Sequence, residues 1–121
     1  MKLDPDGDCH LTYCTNIHPG ETWPDVRASL ENYLPRAKAA LVPDEAFGMG
    51  LRLSAIAAND MARPEALAEF KDFLAQQNLY VFTLNGFPYG DFHGTPVKEN
   101  VYLPDWRGNA RLTYTNQLAD I

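Results

Sequence analysis

This 121-residue sequence has few cysteines, and it shows no long apolar run and no recognisable sorting signal. The two cysteines, Cys9 and Cys14, follow no secretory leader, which favours free thiols over a disulfide. No apolar run approaches the roughly 20 residues that span a bilayer. The opening MKLDPDGDCH also lacks the apolar stretch of a signal peptide. We therefore expect a cytoplasmic protein without a membrane span.

Basic charge is also sparse. Lysine and arginine number 10 against 16 acidic residues, which gives a formal net charge of −6 at pH 7, and the basic residues are scattered along the chain. Nucleic acids and anionic membranes attract clustered positive charge, so neither is expected as a partner. With 45% hydrophobic residues, the chain can fill one globular core and is too short for two.

The motifs of common catalytic and cofactor sites are missing. The sequence has no H-E-x-x-H zinc motif, no recognisable Ser-His-Asp context and no cluster of carboxylates and histidines at strand ends. A zinc site at Cys9, His10 and Cys14 fits no common spacing and has no evident fourth ligand. We expect no cofactor in this chain; a divalent metal in a longer protein would take most of its ligands from further strands.

What the sequence does contain is an alternation of strand and helix patterns. Segments 10–17, 47–53 and 79–84 are short, apolar and bounded by turn residues, which is typical of strands. The third is almost continuously apolar, which predicts burial on both of its faces.

Helix signals lie between and after these strands. Thr22 and Asp25 form a capping-box-like start to a long apolar stripe at helical spacing. Pro35 lies inside that stripe and predicts a break or kink near its neighbour Leu34. An alanine-rich stretch follows the second strand, Pro64 then opens a second helix, and Asn109 is expected to cap a third.

This order, βαβαβα with a long loop after the third strand, predicts an α/β fold with parallel strands. The two architectures that use it are a doubly wound sheet and a (β/α)8 barrel. The first strand-to-helix loop, TNIHPGET, has no G-x-G-x-x-G or P-loop pattern, which disfavours nucleotide-binding doubly wound folds. A full barrel needs about 250 residues. The chain is therefore either a small three-stranded α/β domain or the N-terminal part of a longer barrel.

Ligands of parallel α/β folds bind at the carboxyl ends of the strands. The loop 85–108 is long and aromatic, and structureless loops longer than about 12–15 residues are often functional. The candidate site residues lie at the three strand ends and in this loop: Asn16, His18, Arg52, Asn85, Tyr89, His93 and Lys98.

Each candidate also has a structural interpretation. His18 can carry a proton, because free histidine titrates near pH 6.5, or it can cap the next helix or pack on Trp23. Arg52 can bind an anionic group or pair with a structural carboxylate such as Asp91 or Glu99.

The loop residues leave similar alternatives open. Asn85 can hold a substrate or stabilise a turn. Tyr89 and His93 can line a pocket, while the loop aromatics, Tyr89 among them, can instead pack the loop onto the sheet. Lys98 can contact a ligand or remain an exposed charge.

Four stretches carry a family resemblance: HLTYCTNIHPGETW at 10–23, GLRLS at 50–54, LYVFTLNGFPYGDFHGTPVKENVYLPDW at 79–106, and YTNQLADI at 114–121. Together they resemble the start of the metabolite traffic protein EboE family, which consists of xylose-isomerase-like, sugar phosphate isomerase/epimerase-type TIM barrels. The resemblance implies that residues 1–121 form the first three βα units of such a barrel, truncated within the third helix, which can self-associate through exposed barrel edges.

The resemblance also implies a function. It suggests a part in making or moving a small polar metabolite, with proton transfer of the isomerase/epimerase kind and with His18 and His93 as catalytic residues. By the same analogy Asn16, Arg52 and Asn85 would contact the substrate, and no metal ligand carries over to this chain. Tyr89 and Lys98 are further substrate-contact candidates because of their place in the long loop. As a truncated chain it is expected to be inactive alone. The alternatives are a non-enzymatic metabolite-binding component and a structural α/β interaction module.

Overall fold

The computed structural model describes residues 1–4, 6, 9–91, 93 and 101–121. Strands and helices alternate along the chain in this order: β1 (Thr12–Cys14), α1 (Trp23–Leu41), β2 (Phe47–Arg52), α2 (Ala55–Met61), α3 (Pro64–Gln77), β3 (Leu79–Asn85) and α4 (Asn109–Asp120). The three strands form one sheet in the order β1-β2-β3, and both pairings are parallel. The predicted α/β fold with parallel strands is confirmed.

Strand β2 is the centre of this sheet, and all six of its residues are buried. Phe47, Met49 and Leu51 belong to the hydrophobic core. Because successive side chains of a strand alternate between faces, Gly48 and Gly50 lie on the opposite face. At Gly48 a Cβ atom would lie 2.7 Å from Cζ of a β3 side chain, Tyr80. The tyrosine ring therefore covers the space that this glycine leaves open.

Helix α1 begins as the sequence predicts and ends later than Pro35 suggests. Thr22 and Asp25 form a complete capping box. The predicted break near Leu34 is wrong, because the helix continues through Pro35 to Leu41. Leu30 and Leu34 are each 1% exposed, so packing of this stripe outweighs the backbone hydrogen bond that proline cannot donate.

Helices α2, α3 and α4 follow β2, and their starts agree with the sequence prediction except at α4. The alanine-rich stretch forms α2, and the Ser54 hydroxyl caps it by accepting a hydrogen bond from the backbone N–H of Ala57 at 3.0 Å. Helix α3 begins at Pro64 as expected. Helix α4 begins at Asn109 itself, so the capping residue is Gly108. None of the helices in the described ranges is long and apolar enough to cross a membrane.

The two outer strands differ from their predictions. β1 is shorter than the predicted 10–17, because residues Thr15–Ile17 form a 3₁₀ turn. The prediction that the third strand is buried on both faces is wrong: within β3 only Leu79 is buried, and Phe82 is 47% exposed. The reason is position, because among the described residues β3 pairs with β2 alone and forms an edge of the sheet.

Candidate functional site

A buried arginine organises the carboxyl end of the sheet. Arg52, the last residue of β2, is 3% exposed. Its Nη1 atom donates hydrogen bonds to the carbonyl oxygen of Gly20 at 3.1 Å and to Oε1 of Glu21 at 2.7 Å. Its Nη2 atom donates to the carbonyl oxygens of Gly90 at 2.6 Å and Pro88 at 3.4 Å. One guanidinium therefore ties the β1–α1 loop to the loop after β3.

These contacts bear on the two interpretations of Arg52. Its guanidinium forms an ion pair with Glu21, and its backbone N–H donates to Oγ1 of Thr15 at 2.9 Å. A structural carboxylate was one of the two predicted partners, but Glu21 was not among the candidates Asp91 and Glu99, and Glu99 lies outside the described residues. Both Nη atoms are engaged by protein oxygens, so the described contacts of Arg52 serve to hold the two loops together.

The two loops held by Arg52 border an open groove with a volume of about 570 Å³. The residues that line it come from the β1–α1 loop, the start of α1 and the loop after β3: Pro19, Gly20, Glu21, Asp25, Ala28, Ser29, Asp91 and His93. We call this space the His93 groove. It lies where ligands of parallel α/β folds bind.

Three carboxylates of the His93 groove are held by hydrogen bonds or an ion pair within the protein. Asp25 accepts a hydrogen bond of 2.6 Å from the hydroxyl of Thr22, and Glu21 is held by Arg52. Asp91 Oδ1 accepts a hydrogen bond of 2.9 Å from the backbone N–H of His93, which forms a tight turn. The His93 side chain is exposed, so its imidazole can reach a ligand in the groove.

His18 is packed between two tyrosines. Its Nε2 atom and the hydroxyl of Tyr13 form a hydrogen bond of 2.7 Å, and its ring stacks on Tyr33 of α1 at 4.0 Å with planes 8° apart. Removal of the ring from water, together with the charge of His93, lowers the pKa of His18. This lowering favours the uncharged form of the imidazole, and the ring is positioned by its contacts with the two tyrosines.

The remaining predicted site residues are spread over different surroundings. Asn16 lies in the 3₁₀ turn, and its Oδ1 atom is buried without a hydrogen-bond partner among the residues that the structure describes. Asn85 ends β3 opposite Arg52 in the register of the sheet. Tyr89 lies in a different groove, between α2 and α4. Lys98 lies outside the described residues. Of the candidates, His93 is the residue that lines the His93 groove.

Several residues that shape this end of the sheet are not among the predicted site residues. Glu21 and Asp25 line the groove, but an acidic residue near a helix start is ordinarily read only as a cap. Arg111 is 7% exposed and donates to the carbonyl oxygens of Pro104 at 2.9 Å and Gly86 at 3.0 Å. An arginine within a helical pattern gives no sequence signal that it reaches back to a loop.

Neither a metal-binding cluster among the described residues nor a match to a known protein gives further information about this site. The two cysteines are free and exposed, and within the described part of the chain no group of three or more histidine, cysteine, aspartate or glutamate residues is arranged to hold a metal ion. A scan of protein-family models, a search of curated proteins and a search of solved structures each give no match to this chain. The resemblance to the EboE family therefore stays a prediction.

Proposed function

We propose that this chain binds a small polar metabolite in the His93 groove, as part of an EboE-like barrel of the sugar phosphate isomerase/epimerase type. The observation that carries the proposal is the groove itself, which lies at the carboxyl end of a parallel sheet between two loops fixed by Arg52. The sequential strand order β1-β2-β3 is also the order of successive barrel strands.

The lining of the groove favours an uncharged polyhydroxy ligand over a phosphorylated one. Three carboxylates, Glu21, Asp25 and Asp91, line it, and among its described lining residues there is no lysine or arginine. Carboxylate oxygens accept hydrogen bonds from hydroxyl groups and repel phosphate. A sugar or a related polyol therefore fits this surface best.

The reaction that we propose is proton transfer next to a carbonyl carbon, as in isomerisation or epimerisation. His93 is the catalytic residue in this proposal, because an exposed imidazole on the groove wall can take up and return a proton. His18 lies close enough for the charge of His93 to contribute to the lowering of the His18 pKa. The second candidate function is binding without chemistry, since the groove presents one imidazole and fixed hydrogen-bond acceptors.

Calorimetric titration with xylose, fructose and glucose 6-phosphate tests the binding step. We expect saturable binding of a neutral sugar, weaker binding of the phosphate ester, and loss of binding in His93→Ala. Gln76→Ala, an exposed position on α3, is the matched control. Absence of saturable binding by any neutral sugar contradicts the proposal.

Hydrogen exchange separates the two candidate functions. In deuterated water, proton transfer introduces deuterium at the carbon beside the carbonyl of the bound sugar, and mass spectrometry detects it. Exchange that is lost in His93→Ala supports catalysis by this chain, whereas binding without exchange supports the metabolite-binding component. Partner association that survives His18→Ala and His93→Ala, with neither binding nor exchange, supports the structural interaction module.

Self-association and a cytoplasmic location also belong to the proposal. Among the described residues β3 pairs on one side only, and Phe82 is 47% exposed, so this edge offers backbone groups and apolar surface to a second copy. Analytical ultracentrifugation tests this step, and we expect a concentration-dependent rise in mass that Phe82→Lys suppresses. Cell fractionation tests the location.

A further inference from the structure

The loop after β3 also contributes Tyr89 to a second groove. It runs between α2 and α4 and has a volume of about 480 Å³. Eight residues line it: Ala55, Ile56, Asn59, Tyr89, Ala110, Thr113, Tyr114 and Gln117. We call it the Tyr89 groove. It shares no lining residue with the His93 groove, so it constitutes a separate site.

The chemistry of this lining differs from that of the His93 groove. None of the described lining residues carries a charge, although the whole chain has a formal net charge of −6. Asn59 of α2 and Gln117 of α4 supply one carboxamide from each wall, and Thr113 adds a hydroxyl. Each carboxamide offers both hydrogen-bond donors and an acceptor. The surface therefore fits a neutral ligand with paired donors and acceptors on its edge.

Tyr89 is held firmly in this groove. Its carbonyl oxygen accepts a hydrogen bond of 2.8 Å from the backbone N–H of Ala55, and its ring meets that of Tyr114 edge-on at 5.1 Å. Arg52 binds the carbonyl oxygens of the residues on either side, Pro88 and Gly90. The ring is thus positioned before any ligand arrives, which lowers the entropic cost of binding.

Tyr114, which packs against the Tyr89 ring, is itself held in place by further contacts. Its hydroxyl donates a hydrogen bond to the carbonyl oxygen of Leu53, and the guanidinium of Arg111 lies 5.8 Å from the Tyr89 ring and 5.5 Å from the Tyr114 ring. These contacts engage the Tyr114 hydroxyl and the Arg111 cation within the protein. The groups that remain for a ligand are the carboxamides, the Thr113 hydroxyl and the aromatic surface of Tyr89.

We propose that the Tyr89 groove binds the uncharged base of a nucleoside. Aromatic side chains stack on bases, and asparagine and glutamine pair with base edges through one donor and one acceptor at once. Carboxylates, which suit the hydroxyls of a sugar, are absent from the described lining. The negative net charge and the uncharged lining disfavour phosphate groups, so the ligand is a nucleoside, neither a nucleotide nor a nucleic acid.

Methyl resonances of Ile56, Ala55 and Ala110 report directly on this groove. We expect adenosine, cytidine, guanosine or uridine to shift them saturably in the intact chain, with adenosine monophosphate binding more weakly than adenosine. Asn59→Ala and Gln117→Ala each weaken binding by about tenfold, a loss typical of one carboxamide–base contact. Gln76→Ala, an exposed carboxamide on α3, leaves binding unchanged.

Alanine is the best helix former, so both variants keep their helices, and unchanged amide spectra verify the fold. Three results overturn the proposal: no saturable shift with any nucleoside, binding that the two carboxamide variants leave unaffected, or equal shifts with xylose. Tighter binding of a single-stranded oligonucleotide than of the nucleosides also overturns it, because the ligand would then be a nucleic acid. None of these outcomes depends on sugar binding in the His93 groove.

Discussion

The guanidinium of Arg52 and the carboxylate of Glu21 form an ion pair of 2.7 Å at the point where the β1–α1 loop meets the loop after β3. The arginine side chain is 2% exposed and the glutamate side chain 24%, so the pair is largely withdrawn from water. Both grooves described above border loops that this pair holds. The stability of the pair is therefore the first quantity to measure.

Replacement of Arg52 by methionine removes the cation and leaves the Glu21 carboxylate and three carbonyl oxygens without their donor. We expect Arg52→Met to lower the free energy of unfolding by about 3–5 kcal/mol, the range for breaking a buried pair. Urea denaturation measures the change. Arg36→Met, at an exposed position of α1, is the control and should change stability by about 0.5 kcal/mol or less. A loss of about 1 kcal/mol or less for Arg52→Met, as for a surface pair, contradicts a structural role.

Tyr114 should make the protein sensitive to alkali. Burial raises the pKa of Tyr114 from 10.0 to about 12. The unfolded chain therefore loses this proton at lower pH than the folded chain, and the stabilisation is lost as pH rises from about 10 to about 12. A shift of this size corresponds to roughly 2–3 kcal/mol. Urea denaturation across this pH range should show the decline.

Tyr114→Phe is the matched variant for the alkaline experiment. It is less stable near neutral pH, because the carbonyl oxygen of Leu53 loses its hydrogen-bond donor, at a cost of about 1–3 kcal/mol. Its further loss of stability between pH 10 and 12 should be smaller than that of the unmodified chain. Parallel declines in the two proteins show that Tyr114 is not the group responsible.

His18 should make the stability of the protein sensitive to acid. Its pKa is lowered in the folded protein, first by removal of the ring from water and then by the charge of His93. The unfolded chain therefore takes up this proton more readily, and stability falls as pH drops below the unfolded pKa of about 6.5. His93→Ala removes the second cause, so we expect the pKa of His18 in an NMR titration to rise. An unchanged His18 titration in His93→Ala means that the two rings do not interact.

Gly48 tests the packing on the sheet face opposite the core. A Cβ atom at this position would lie 2.7 Å from Cζ of Tyr80, whose hydroxyl forms a 2.6 Å hydrogen bond with Nδ1 of His10. We expect Gly48→Ala to displace that ring and to cost about 1–3 kcal/mol, the range for overpacking. Thermal unfolding measures the change. Gly90→Ala, where the added atom meets nothing within 4 Å, is the control, and equal losses at both glycines contradict this account.

Local signals in the sequence predicted much of the fold. The capping box of Thr22 and Asp25, the start of α3 at Pro64 and the apolar segment of β2 depend on neighbouring residues, and the structure confirms them. Two predictions were wrong: that the third strand is buried on both faces, and that α1 breaks near Leu34. Both depend on what packs against the element, which a local pattern does not contain.

The candidate site could be predicted less completely than the fold. The position of Arg52 at a strand end was readable, and its need for a compensating carboxylate followed from the cost of burying its charge. Its partner Glu21 lies 31 positions earlier in the chain, so only the folded arrangement identifies it. Tyr89 and His93 are close in sequence, yet they line different grooves.

The most direct test of the proposed function is an NMR titration of the three histidine rings with a neutral sugar such as xylose. His93 lines the proposed site, His18 interacts with it electrostatically, and His10 is bonded to Tyr80 away from the His93 groove. We expect a saturable shift of the His93 resonance, a smaller shift of His18 and none of His10. An unshifted His93 resonance at saturating sugar, or equal shifts of all three rings, would contradict the proposed function.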